Sequence, residues 1–162
     1  MKKKFKEYFM KVAIETSHLS YALKAKVGAV IVKNGRIVSI GYNGMPHGWE
    51  NECEEWNPKE GVFFDVPGED MDIYGEWHTK PEVLHAEANA ITKLAKSTES
   101  GEGATLVTTH MPCIECAKLI HQSGIVRVAY NKEYKASKGS GKEFLEKCGI
   151  ELEQISPDST IG

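Results

Sequence analysis

Phe5, Phe9, Val12, Thr16 and Leu19, with Tyr8 beside them, recur at three- and four-residue steps. That spacing predicts an amphipathic first helix over residues 3–22, with this face laid against a sheet. Val27-Gly28-Ala29-Val30-Ile31-Val32 is a continuous apolar run, and after Asn34-Gly35 a strand pattern resumes over Arg36-Ile37-Val38-Ser39-Ile40-Gly41-Tyr42. Asn-Gly between two such runs predicts a hairpin, because both central residues of a type I′ turn need positive φ. From Gly44 to Pro81 the pattern gives way to Gly, Pro, Trp and acidic residues with no sustained period. A stretch of that length is too long for an ordinary connection and reads as a functional insertion or lid.

Regularity returns with a helix over 83–96, a strand over 104–109 and a helix over 113–122 that Ser123-Gly124 stops. A strand over 125–130, a helix over 141–148 ending at Gly149, and a last strand over 150–155 complete the order. Strands that alternate with helices need parallel crossovers, whereas the opening hairpin is antiparallel, so an α/β domain with a mixed sheet covered by helices is predicted. A chain of 162 residues suits one such domain over 1–162, with the insertion at about 44–81. No internal repeat or low-complexity segment interrupts it.

Charge and cysteine content narrow the partners. The net charge is -3, with Lys+Arg 20 against Asp+Glu 23, so there is no basic field of the kind a dedicated nucleic-acid binder carries. A small-molecule substrate fits better. The start, Met1-Lys2-Lys3-Lys4-Phe5, is basic, but Lys6, Glu7 and Lys11 break any apolar run, so neither an export signal nor a membrane span is read. Cys 4 in all, two of them as Cys113-Ile114-Glu115-Cys116, suit a reducing cytoplasm and a metal or redox site better than a disulfide framework.

The candidate chemistry lies at two helix starts. Cys113 and Cys116 open one helix, and His85 stands at the start of another. Two thiolates and an imidazole are a donor set that Zn²⁺ prefers, and three protein ligands leave a fourth position for water, which marks a catalytic rather than a closed site. Glu87 follows His85 by two residues, near enough to exchange a proton with that water without being a ligand. A lone Cys-x-x-Cys is weak evidence, since a redox pair, half a structural zinc site or two buried thiols read the same way. Here Pro112 precedes it and His85-Ala86-Glu87 lies one helix and one strand upstream, the order and context of zinc deaminases. His18 and His121 fall in helices and read as surface or core-edge residues.

These segments resemble the cytidine deaminase superfamily, and within it the deoxycytidylate (dCMP) deaminases. The resemblance is carried by Lys26 to Val32, by Gly41-Tyr42-Asn43-Gly44-Met45-Pro46-His47-Gly48, by His85-Ala86-Glu87-Ala88-Asn89-Ala90-Ile91, and by Pro112-Cys113-Ile114-Glu115-Cys116-Ala117-Lys118. The Gly41 to Gly48 block is the one similar to the dCMP branch, since related zinc motifs serve many deaminases. The resemblance implies a three-layer α/β/α fold around a five-stranded mixed sheet and the conversion of dCMP and water to dUMP and ammonia, feeding dTMP synthesis. It implies Zn²⁺ on His85, Cys113 and Cys116, with Glu87 protonating the ring and then the departing amine. It places Asn43 on the deoxyribose, Ala86 on the base through its backbone, and Tyr134 in the pocket wall. Lys26 is a candidate partner of the phosphate.

The same likeness implies a homo-oligomer, a hexamer, activated by dCTP and inhibited by dTTP. The effector would lie at Gly41, Tyr42, Asn43, Gly44 and His47, with Mg²⁺ accompanying the triphosphate; glycines let backbone amides approach phosphate closely. Some relatives hold a second, structural zinc. Cys53, His47, His78 and Glu82 could supply ligands here, but Ala22 and Leu23 stand where such a relative places a cysteine. Cys148 reads as a core residue, and Trp49, Trp56 and Trp77 as packing within the insertion. Two alternatives remain: a tRNA adenosine deaminase or other nucleoside or base zinc deaminase, which for tRNA would want a basic face, and a structural zinc module, which would leave Glu87 without a task.

Overall fold

The computed structural model describes residues 1–64, 72–134 and 139–157, with 60–64 and 72–74 described by their backbone only. The helix α1 (Lys3–Ser17) precedes the hairpin of β1 (Gly28–Lys33) and β2 (Arg36–Tyr42). The strands β3 (Glu54–Phe64) and β4 (Asp72–Thr79) follow, then α2 (Ala86–Leu94), β5 (Thr105–His110), α3 (Ile114–Gln122), β6 (Arg127–Lys132), α4 (Lys142–Lys147) and β7 (Glu151–Gln154). A 5-stranded sheet runs in the order β2-β1-β5-β6-β7. β1 pairs antiparallel with β2 and β5, while β5, β6 and β7 are parallel. This is the mixed sheet the alternation predicts. Asn34 at φ 50 and Gly35 at φ 74 make the turn between its first two strands.

The continuous apolar run of β1 follows from burial on both faces. Ala29 and Ile31 join the layer of α2, α3 and α4 with Ala90, Leu106, Ile120 and Leu145. Val30 and Val32 face the other way, into a layer built by Phe9, Met10 and Ala13 of α1. The molecule is thus three layers, α/β/α.

Two local expectations shift. The buried face of α1 is Phe9, Met10, Ala13, Thr16 and Ser17, and Phe5 and Leu19 are exposed. The helix ends at Ser17, short of residue 22: the hydroxyls of Thr16 and Ser17 donate back to Val12 O and Ile14 O, and the next turns tighten. Such back-bonding supplies the last turn with partners and lets the chain leave. The insertion is not irregular either. β3 and β4 form their own antiparallel sheet, with Trp56 opposite Trp77 and their rings 5.4 Å apart. Pro58 opposite Gly75, followed by a register shift, breaks the alternation that would have betrayed these strands. Residues 65–71 of the insertion lie outside the described residues.

What positions the site is the seating of α2 on β2. Gly41 allows it, because a Cβ there would meet Ala86 O and stand 2.5 Å from Ala90 N. Three bonds then fix the register: Ser39 Oγ donates to Ala90 O at 2.6 Å, Lys93 Nζ to Ile40 O at 2.9 Å, and Asn89 Nδ2 to Tyr42 O at 2.8 Å. Gly41→Ala is expected to cost about 1–3 kcal/mol, read as a lower urea midpoint; an unchanged midpoint would mean that α2 does not need this approach.

Candidate active site

His85 is the N-cap of α2 and Cys113 the N-cap of α3, both with extended backbone. Each helix therefore begins at a side chain able to ligate a metal, and Glu87 and Cys116 sit within the first turns. His85 Nδ1 is 3.5 Å from Cys113 Sγ and 3.4 Å from Cys116 Sγ. One ligand atom from each of the three residues lies within 4.8 Å of the others. Glu87 is 4% exposed, and Cys116 Sγ donates to its Oε2 at 3.6 Å.

The electrostatics suit these roles. Burial pushes the Glu87 carboxyl up from the ordinary carboxylate range, against the opposing pull of its own backbone N–H and of His85. Cys113 is held as a thiolate, at about 3, chiefly by a hydrogen bond from Cys116, with His85 helping. Sharing that proton, and burial, push the Cys116 thiol up. Metal binding at thiols releases such a proton, and a second thiolate at a helix N-terminus is favoured by the dipole. One imidazole, two sulfurs and an adjacent carboxyl outside the ligand set fit Zn²⁺ with an open position.

The cluster borders a cleft of about 420 Å³ that Asn43, His85, Ala86, Glu87, Cys113 and Tyr134 help to line. Ala86 is the first residue of α2, so its N–H has no acceptor one turn back. Asn43 spans the approach to β1: its Oδ1 accepts Val27 N–H at 2.8 Å and its Nδ2 donates to Ala25 O at 2.9 Å. Lys26 is exposed and does not line the cleft, whereas Lys24 does.

The Gly41 to Gly44 segment is largely spent on scaffolding. Gly41 pairs with Ala29, Asn43 N–H donates to Val27 O at 3.2 Å, and Gly44 exchanges both backbone bonds with Leu84 beside His85. His47 is exposed on the loop beyond. Cys53 is buried with Ala22 and Val83, and Met45 packs on them, so an apolar cluster occupies this corner; His78 and Glu82 are exposed. Among the described residues, His85, Cys113 and Cys116 are the one group placed to hold a metal. Cys148 packs at the margin of the main core, and His121 lies against Phe144 with ring centroids 6.2 Å apart.

Among the lining residues that the sequence did not point to, Lys24, Glu54 and His110 carry ionisable side chains. His110 ends β5 and its Nδ1 is 3.0 Å from Thr109 Oγ1, which also accepts Gly28 N–H at 3.2 Å. Burial lowers its pKa, with Lys132 adding to the effect.

The cytidine and deoxycytidylate deaminase zinc-binding region matches residues 3–132. The chain belongs to the cytidine and deoxycytidylate deaminase family. It is 37% identical to the deoxycytidylate deaminase of Enterobacteria phage T4 over 166 residues, covering 88% of this chain and 86% of that one. With the deoxycytidylate deaminase of Mycobacterium phage D29 it shares 40% over 127 residues, 78% of this chain and 94% of the relative. The solved structure of dCMP deaminase from the cyanophage S-TIM5, in complex with dCMP and dUMP, superposes with a TM-score of 0.78 at 40% identity, over 96% of this chain and 99% of that chain. The five-stranded mixed sheet between helices matches the fold of this deaminase family, and the helix starts bring together a His/Cys/Cys group that could hold a metal. No helix among the described residues is long and apolar enough to cross a membrane.

Proposed function

We propose that the chain hydrolyses dCMP to dUMP and ammonia, feeding dTMP synthesis. The observation that carries the chemistry is Glu87, a buried carboxyl beside the cluster of His85, Cys113 and Cys116 on the wall of a cleft. The choice of dCMP is supported by likeness along most of the chain to relatives named for that substrate and to a neighbour solved with dCMP and dUMP.

His85, Cys113 and Cys116 would hold Zn²⁺, which when bound acidifies water toward neutrality and so supplies the nucleophile for the C4 position. Glu87 takes a proton from the attacking water and delivers it to ring N3, then takes the remaining hydroxyl proton and passes it to the amine, which leaves as ammonia as the C4–N bond breaks and the C4 carbonyl forms. The burial that raises its pKa suits a group that must both hold and return a proton near neutral pH. The Ala86 N–H serves as donor to the base. Asn43, already bonded to Ala25 and Val27, turns its remaining amide capacity toward the deoxyribose. Tyr134 closes the pocket wall. Among the described lining residues Lys24 carries the only ammonium, so it, rather than Lys26, meets the 5′-phosphate.

Regulation by dCTP and dTTP, with Mg²⁺ accompanying the triphosphate, is the finer part of this reading. The amides of Asn43 and Gly44 are committed to Val27 and Leu84, so the phosphates would meet Tyr42, His47 and the backbone beyond Gly44. A surface cleft of about 650 Å³ lined by Met45, Gly48, Trp49 and Lys80 lies beside that loop. A homo-hexamer working in the cytoplasm completes the reading, and the four free cysteines accord with a reducing compartment. Zinc-loaded protein assayed on dCMP, deoxycytidine, dCTP and CMP is expected to prefer dCMP. Absence of dCMP turnover, with or without dCTP, would overturn the substrate assignment.

A further inference from the structure

The insertion meets the cleft at its base. Glu54 opens β3 and Thr79 closes β4; the two are register partners, and both line the cleft. Glu54 is only 7% exposed. Its carboxylate accepts the Leu23 N–H at 3.1 Å from each oxygen and the Lys24 N–H at 3.2 Å. A buried carboxylate is costly unless its lone pairs are met, and here backbone amides meet them. The proton chemistry of Glu87 gives this second buried acid no task.

What Glu54 holds is the connection between α1 and β1, a segment without regular secondary structure from residue 18 to residue 27. Asn43 ties it at Ala25 and Val27, and Glu54 ties it at Leu23 and Lys24. Lys24 therefore lines the cleft from a backbone fixed on both sides. Its long side chain would otherwise sweep a wide volume, and binding a ligand would have to freeze both loop and side chain. Leu23 itself is 74% exposed, so apolar packing does not fix the loop at this point.

We infer that Glu54 is a positioning residue of the nucleotide site, fixing the backbone at Leu23 and Lys24 so that the Lys24 ammonium meets the 5′-monophosphate. The base of the insertion is thereby part of the selection of nucleotide over nucleoside. This rests on the dCMP reading and adds to it a residue that touches no substrate atom itself.

The test is a kinetic double-mutant cycle on the zinc-loaded enzyme with dCMP, comparing wild type, Glu54→Ala, Lys24→Ala and the double variant, with zinc content measured for each. Lys24→Ala is expected to raise KM roughly tenfold, the factor that corresponds to about 1.4 kcal/mol, with kcat little changed. Glu54→Ala is expected to raise KM severalfold, and the double variant no further than Lys24→Ala alone, because Glu54 acts through Lys24. Glu54→Gln keeps one acceptor oxygen in the same volume and is expected to fall between wild type and Glu54→Ala. If Glu54→Ala does not fold, the cycle is run with Glu54→Gln. Additive effects on KM, a fall in kcat at constant KM, or loss of zinc would each overturn the positioning role. Wild type that does not turn over dCMP would instead overturn the underlying substrate reading, so the two failures are distinct.

Discussion

Glu87→Gln is expected to lower kcat for dCMP by roughly 10²–10⁴-fold while leaving zinc bound. Glutamine preserves the volume and an acceptor oxygen at a position that is 4% exposed, so the packing of the first turn of α2 should persist. What it removes is a carboxyl able to take up and return a proton. The structure makes the separation clean, because the three-residue metal group does not include Glu87 even though Cys116 Sγ is 3.6 Å from its Oε2. Ammonia release and metal content measured on the same sample check the expectation. Turnover within tenfold of wild type would remove the proton-transfer role; zinc loss would show that Glu87 serves the metal instead.

Cys116→Ser is expected to abolish tight zinc binding and turnover together. Cys116 is 2% exposed in the first turn of α3, with His85 Nδ1 3.4 Å from its sulfur. A serine hydroxyl does not ionise near neutral pH, so one of three ligands is lost. The fall in affinity should exceed the roughly 10–100-fold that loss of a mere supporting partner of a metal ligand costs. Competition with a chromogenic chelator measures it. A variant that holds zinc as tightly as wild type would exclude Cys116 from the donor set.

The grouping of His85, Cys113 and Cys116 beside Glu87 was legible because its chemistry is written locally, in His85-Ala86-Glu87 and Cys113-Ile114-Glu115-Cys116 at helix starts. The opening hairpin was legible for the same reason, with positive φ at Asn34 and Gly35 where a two-residue turn requires it. Features decided between distant segments were not. The amide bonds from Leu23 and Lys24 to Glu54 join two loops whose relation no periodicity encodes. The inward face of α1 is legible only in part: Phe9 and Thr16 are buried as the spacing predicts, but Phe5, Tyr8 and Leu19 are apolar yet exposed, while Met10, Ala13 and Ser17 are buried in their place. β3 and β4 were hidden by Pro58 and by strands that pair with each other rather than with the main sheet. The Gly41 to Gly44 segment drew attention through likeness, but its visible work is to seat α2 and anchor the loop before β1.

One open zinc site per chain, held by His85, Cys113 and Cys116, is proposed as the seat of dCMP deamination. Metal-free protein titrated with Zn²⁺ while dCMP turnover is followed tests it most directly. Activity should rise in proportion to added zinc and level off at one equivalent per chain. Turnover that persists without metal, or that appears only after a second equivalent, would contradict the account.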